Sequence, residues 1–124
     1  MTSQQATVDA YLEGFRASDH GAILECLTDD ITWVIHGHRT TRGKSEFDGE
    51  VENEAFEGSP ELDVDRTLEA DNVVVVTGEG RGRHREHGPF SFAFNDLFTF
   101  RDGLIERIDS YVVPHSVSLS PRAS

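Results

Sequence analysis

Residues 90 to 100 read Phe-Ser-Phe-Ala-Phe-Asn-Asp-Leu-Phe-Thr-Phe, and this alternation constrains the fold more than any other feature of the chain. Side chains on a strand point to opposite faces in turn, so Phe90, Phe92, Phe94, Asp96, Phe98 and Phe100 share one face. Five of the six are aromatic and the sixth is an acid. Such a face has to be covered, and covering it traps a lone carboxylate among rings. Desolvation penalises the charged form, which drives Asp96 toward its neutral state. A protonated carboxyl in a dry pocket is a donor that could stabilise a developing oxyanion. The plainer alternative is a structural carboxyl accepting from a backbone N–H or a tyrosine.

The rest of the chain supplies the cover. Val8, Tyr11, Leu12 and Phe15 recur at helical spacing, and Ala22, Ile23, Cys26 and Leu27 form a second stripe after the Ser18-Asp19 break. Thr28-Asp29-Asp30 reads as a turn and Ile31 to His36 as a strand. A polar loop is expected over residues 37–43. A third helix follows, opened by Ser45 with Asp48 in a capping-box arrangement and closed by Gly58-Ser59-Pro60. Its apolar side carries Phe47, Val51, Ala55 and Phe56. Strands are predicted over 62–68, 73–83, 90–100 and 104–113, with Asp102-Gly103 as a hairpin signal. Gly78, Gly80 and Gly82 interrupt the second of these and read as a bend. Helices followed by antiparallel strands define an α+β domain, a curved sheet with helices over its hollow face. The domain is assigned to residues 1–113 and the Ser-rich stretch 114–124 to a disordered tail.

Composition bounds the function. A chain of 124 residues fits one core, to which eight Phe, one Trp and two Tyr contribute large buried area. The net charge is −12, and eleven acids against one base, Arg66, between Glu46 and Asp71 supply −10 of it. That field repels phosphate backbones and argues against nucleic acid. No run is long enough to span a membrane, and Met1 to Thr7 has no secretory character. With one cysteine, Cys26, a cytoplasmic location is the simplest expectation.

Four segments carry a resemblance: YLEGFRASD (11–19), LTDDITW (27–33), GKSEFDGEV (43–51) and DLFTFRDGLIERIDSY (96–111). In order and spacing they resemble the nuclear transport factor 2-like superfamily, in particular its SnoaL-like and ketosteroid-isomerase-like branches. The resemblance implies a cone: a strongly curved antiparallel sheet wrapped against three N-terminal helices, with a pocket at the open end. It also implies a homodimer. On these motifs Tyr11 falls on the helix-1 tyrosine of ketosteroid isomerases and Asp96 on their oxyanion-binding acid, a carboxylic acid kept protonated by an apolar site. The isomerase base position is occupied by Ile35, and the adjacent His36 is the candidate base. Ile31, Trp33 and Ile35 share one face of that strand, so His36 reaches the pocket only if the strand end bulges. Epoxide-hydrolysing relatives place an Arg two residues from an Asp on one strand; here Phe94 and Phe98 flank Asp96.

The expected function is cofactor-independent acid/base chemistry, of isomerase, cyclase or lyase type. The substrate would be a small hydrophobic carbonyl compound such as a polyketide, terpenoid or steroid-like molecule. Asp96, Tyr11 and His36 are the catalytic candidates, and Trp33, Phe56, Phe92, Phe94 and Phe98 the pocket walls. Ser110 and Tyr111 lie near the end of the last strand, where the family lines its pocket; Ser110 is carried forward as substrate-binding. His36 and His38 lack a third ligand, so no metal is called for. Arg81, Arg83 and Arg85 read as a surface ion network. A binding protein without chemistry and a dimerisation module are the rival classes.

Overall fold

The computed structural model describes residues 3–51 and 61–115. Helix α1 (Gln4–Ala17) forms on the first apolar stripe, with Ser3 accepting from the Ala6 N–H at 3.0 Å and Ser18 closing it in the left-handed conformation. Asp19 caps α2 (His20–Leu24) by accepting from Ala22 N–H at 3.1 Å. This helix is shorter than its stripe suggests, because Leu27 already belongs to β1 (Leu27–Ile35). The turn expected at residues 28–30 is instead the irregular opening of that strand, whose register slips between Leu27 and Thr32.

The predicted loop at 37–43 contains a short strand, β2 (Arg39–Arg42), which folds back on β1 and buries Thr41. Helix α3 (Gly43–Glu50) follows at once. The Ser45 capping box does not form: the helix starts two residues earlier, and the Arg42 N–H donates to the Glu46 carboxylate at 2.8 Å. Phe47 and Val51 are buried as expected, whereas Ala55, Phe56 and the stop at 58–60 lie outside the described residues.

Four long strands complete the chain: β3 (Glu61–Ala70), β4 (Val73–His84), β5 (Gly88–Arg101) and β6 (Leu104–Pro114). Asp102 and Gly103 both take positive φ, 53° and 85°, as a tight two-residue hairpin turn requires. Pro114 is thus strand rather than tail, and residues 116–124 lie outside the described part.

The six strands form one open sheet in the order β2-β1-β6-β5-β4-β3. The expected cone-shaped, strongly curved antiparallel sheet requires correction on two counts. The sheet is mixed, since β1 runs parallel to β6, and it is not strongly curled. The glycines explain part of the difference. Gly78, Gly80 and Gly82 stand opposite Phe94, Phe92 and Phe90 in twelve unbroken β4–β5 pairs. A Cβ at Gly80 or Gly82 would run into the ring of its partner phenylalanine. These glycines seat aromatic rings flat on the neighbouring strand rather than bending their own.

Helices α1 and α3 cover one face of the sheet, and the core lies between. Val8, Ile23, Phe47, Phe98 and Ile108 have no exposed surface. Full burial of a residue such as Phe98 stabilises by roughly 1.5–3 kcal/mol. Among the described residues no helix is long and apolar enough to cross a membrane.

Candidate functional site

The alternation that buries Phe98 also carries Asp96, one turn of the pleat away, to the end of the core where helix and sheet part. A partly open cavity of about 160 Å³ lies there. Helix α1 contributes Tyr11, Leu12 and Phe15; β1 contributes Trp33 and Ile35; β5 contributes Phe92, Phe94 and Asp96; β6 contributes Ser110 and Val112; and Leu62 closes it from β3. Among the described residues Asp96 is the only charged side chain in this lining.

Tyr11 is buried, 3% exposed, its ring edge-on to Phe98 at 5.2 Å and tilted against Phe15 at 5.1 Å. Burial pushes its phenol well above the ordinary range, and the nearby Asp96 charge pushes it further, followed by Cys26. The phenol therefore remains a hydrogen-bond donor at every physiological pH. For Asp96, burial raises the carboxyl from 3.8 to about 6, while a hydrogen bond from Ser110 pulls the other way. The direction is the one expected from the phenylalanine stripe, but the extent is smaller. A carboxyl of this affinity exchanges its proton close to the neutral range.

Ser110 pairs directly across the sheet with Asp96 on one side and Ile35 on the other. It is buried, and its Oγ accepts from the Trp33 indole N–H at 2.9 Å. Tyr111 consequently faces the other way and is exposed. The cavity thus gathers Tyr11, Asp96, Trp33, Phe92, Phe94 and Ser110 from the sequence candidates.

Two candidates stand elsewhere. The strand does not bulge at its end, so Ile35 faces the cavity and His36 leaves it. His36 hydrogen-bonds the Asp109 carboxylate at 2.9 Å and stacks on Tyr111, ring centroids 4.3 Å apart. Phe98 lies in the core beneath Tyr11 rather than in the lining. Phe56 lies outside the described residues. Conversely, Leu12, Phe15, Ile35, Leu62 and Val112 line the cavity although none is among the wall residues expected from the sequence. Phe15 was available from the stripe it shares with Tyr11; Leu62 had no local signal.

Among the described residues no group of three His, Cys, Asp or Glu is arranged to hold a metal, so His36 and His38 gain no third ligand there. Arg81 is engaged by Glu61 and Asp63 at 3.1 and 2.7 Å, an exposed ion cluster. A larger depression of about 520 Å³ involves the alternate residues, including Thr77, Glu79, Asn95 and Tyr111. It includes neither Asp96 nor Tyr11.

A helix-covered mixed sheet with an apolar cavity holding one acid and one phenol defines an α+β pocket protein. The chain belongs to the SnoaL-like domain family, whose profile matches residues 8–108. A search of curated proteins finds no match. Among solved structures, an NTF2-like protein of unknown function from Burkholderia pseudomallei superposes with a TM-score of 0.80 at 19% identity, covering 89% of this chain and 90% of its own. A provisionally assigned polyketide cyclase from Pseudomonas putida gives 0.79 at 21% identity, with 90% and 92% covered. A protein with a ketosteroid isomerase-like fold from Catenulispora acidiphila, in complex with trimethylamine, gives 0.77 at 18%, with 85% and 83% covered. At these identities the likeness speaks for the fold, and chemistry has to be argued from the cavity.

Proposed function

We propose that the protein is a cofactor-independent acid/base enzyme, of isomerase, cyclase or lyase type, acting on a small hydrophobic carbonyl compound. One observation carries this reading: a carboxyl that titrates near neutrality and a phenol that does not both face one apolar cavity. A general base works best with an affinity close to the operating pH, and Asp96 at about 6 meets that condition. In the proposed reaction the Asp96 carboxylate takes a proton from carbon next to the substrate carbonyl. The electron pair of that C–H bond moves onto the carbonyl oxygen, where the Tyr11 hydroxyl hydrogen-bonds the enolate. Asp96 then returns the proton to a different carbon or the enolate expels a leaving group. Asp96 thereby fills the base role that Ile35 cannot, and His36 has no part.

The volume bears on the substrate. An apolar cavity of about 150 Å³ accepts a molecule the size of benzene, so about 160 Å³ encloses roughly one ring. A polyketide, terpenoid or steroid-like molecule would insert one ring and leave the rest at the partly open mouth. The polyketide cyclase assignment of the Pseudomonas relative is in keeping with such a substrate.

The test uses cyclohexanone in deuterated buffer, following loss of its α-proton NMR signals. Wild type should accelerate exchange, and Asp96→Asn should abolish the acceleration. Binding of the ketone without any acceleration would favour the rival reading, a binding protein without chemistry. The proposal includes a homodimer. Its support is a cross-strand apolar row on the sheet face away from the helices, Leu68, Val75 and Leu97, none of it fully buried, which ends at Asp109 on β6. Sedimentation should show a dimer that Leu97→Asp converts to monomer; a monomeric wild type would remove this part.

A further inference from the structure

We propose that Ser110 is a positioning residue for Asp96, aimed by the Trp33 indole, rather than a contact for substrate. The assignment deepens the reading of Asp96 as the proton-transfer group, although the direction of the hydrogen bonds holds without it.

The polarity follows from what each group can do. An indole N–H only donates, whereas a serine hydroxyl has one proton and can also accept. With Trp33 Nε1 at 2.9 Å, Ser110 Oγ is the acceptor of that bond. Its own proton is left for a second partner, and the group placed to take it is the Asp96 carboxyl, directly opposite across the β5–β6 pair and lining the same cavity. The chain therefore runs one way, from Trp33 through Ser110 to Asp96. A hydroxyl without the indole would rotate to suit other acceptors. With it, one carboxylate oxygen of Asp96 is taken and the other remains for the substrate proton.

Two consequences bear on catalysis. A carboxylate held at one oxygen has a defined orientation, as proton transfer over hydrogen-bond distance requires. The donated bond also favours the ionised form, against the burial that favours the neutral one. Without it the carboxyl would keep its proton into the neutral range and be a poorer base at pH 7. Among the described residues of the lining, the Tyr11 hydroxyl is the one other donor besides the Trp33 indole, and the proposed reaction uses it for the substrate oxygen. Val76 is its partner from β4, Ile35 and Trp33 face it from β1, and Tyr11 is the only other titratable group in the lining. Arg16, the next cation along α1, is occupied by the Leu62 carbonyl at 2.8 and 3.2 Å and by Glu13 at 2.8 Å.

A purely structural role, in which Ser110 only satisfies the buried indole, predicts no effect on how Asp96 titrates. The experiment is a carbon-13 carboxyl NMR titration of Asp96 in the full chain, which needs no ligand. The wild-type midpoint should fall at about 6. Ser110→Ala should raise it, with a gain in proton affinity of about tenfold. Ser110→Thr, which keeps the hydroxyl, should restore the wild-type value. Trp33→Phe should raise the midpoint by a smaller amount, and adding it to Ser110→Ala should raise it no further. An unmoved or lowered midpoint in Ser110→Ala overturns the proposal; if that variant does not fold, an unmoved midpoint in Trp33→Phe overturns it. Raised midpoints with no ketone exchange in wild type would defeat the catalytic reading alone, and exchange with unmoved midpoints would defeat this one alone.

Discussion

Replacing Asp96 with asparagine removes a charge and changes almost nothing else, so it isolates the free energy of keeping that charge in the cavity. The amide has the same shape, and its oxygen can still accept from Ser110. In the folded chain the carboxyl titrates at about 6, against 3.8 as its ordinary value. Between these two pH values the folded protein holds a proton that the unfolded chain has released. Stability therefore falls as pH rises through that window and levels off above it. A midpoint carried from 3.8 to about 6 corresponds to about 3 kcal/mol of destabilisation once the group is fully ionised, with about half of it already present at pH 5. Asp96→Asn should thus gain stability over wild type by about 1 kcal/mol more at pH 8 than at pH 5. Urea unfolding of both proteins at the two pH values and constant ionic strength measures this difference. The other acids titrate equally in both proteins and cancel. A difference that stays level, or that shrinks toward pH 8, would refute the claim that burial governs this carboxyl.

Three further outcomes follow from the same geometry. Tyr11→Phe keeps the ring against Phe98 and Phe15, so melting should show stability within about 1 kcal/mol of wild type, while ketone exchange should fall by about 10²–10³ through loss of the enolate donor. His36→Ala should leave the pH midpoint of exchange where it is and reduce stability by less than about 1 kcal/mol, because the Asp109 pair is surface-exposed on the histidine side. Gly80→Val sets side-chain carbons against the Phe92 ring. Denaturant titration should register a loss of about 1–3 kcal/mol, and ketone affinity should fall as Phe92 moves in the cavity wall.

What the sequence disclosed and what it withheld divide along local and cross-strand information. The stripe of α1, the five-ring alternation of β5 and the Asp102-Gly103 turn are all written within a few residues, and each forms as spaced. β2 was unreadable because Arg-Thr-Thr-Arg has no apolar residue, and only its pairing with β1 makes Thr41 a buried position. The same limit governed the glycines. Gly78, Gly80 and Gly82 look like a bend until the register places them beneath the rings of the next strand. It governed the site as well. The Phe stripe announced that the Asp96 carboxyl would be raised, but by how much depended on Ser110 and, behind it, Trp33, two residues brought alongside by a hairpin and a parallel strand pair. That cross-strand hydroxyl opposes burial and holds the acid near the neutral range, where it can take up and release a proton. In the proposed reaction that group accepts the proton, and the donor is Tyr11, whose phenol burial keeps neutral. On that proposal the isoleucine at position 35 does not count against catalysis, because one carboxylate and one phenol suffice to move a proton and hold the resulting enolate.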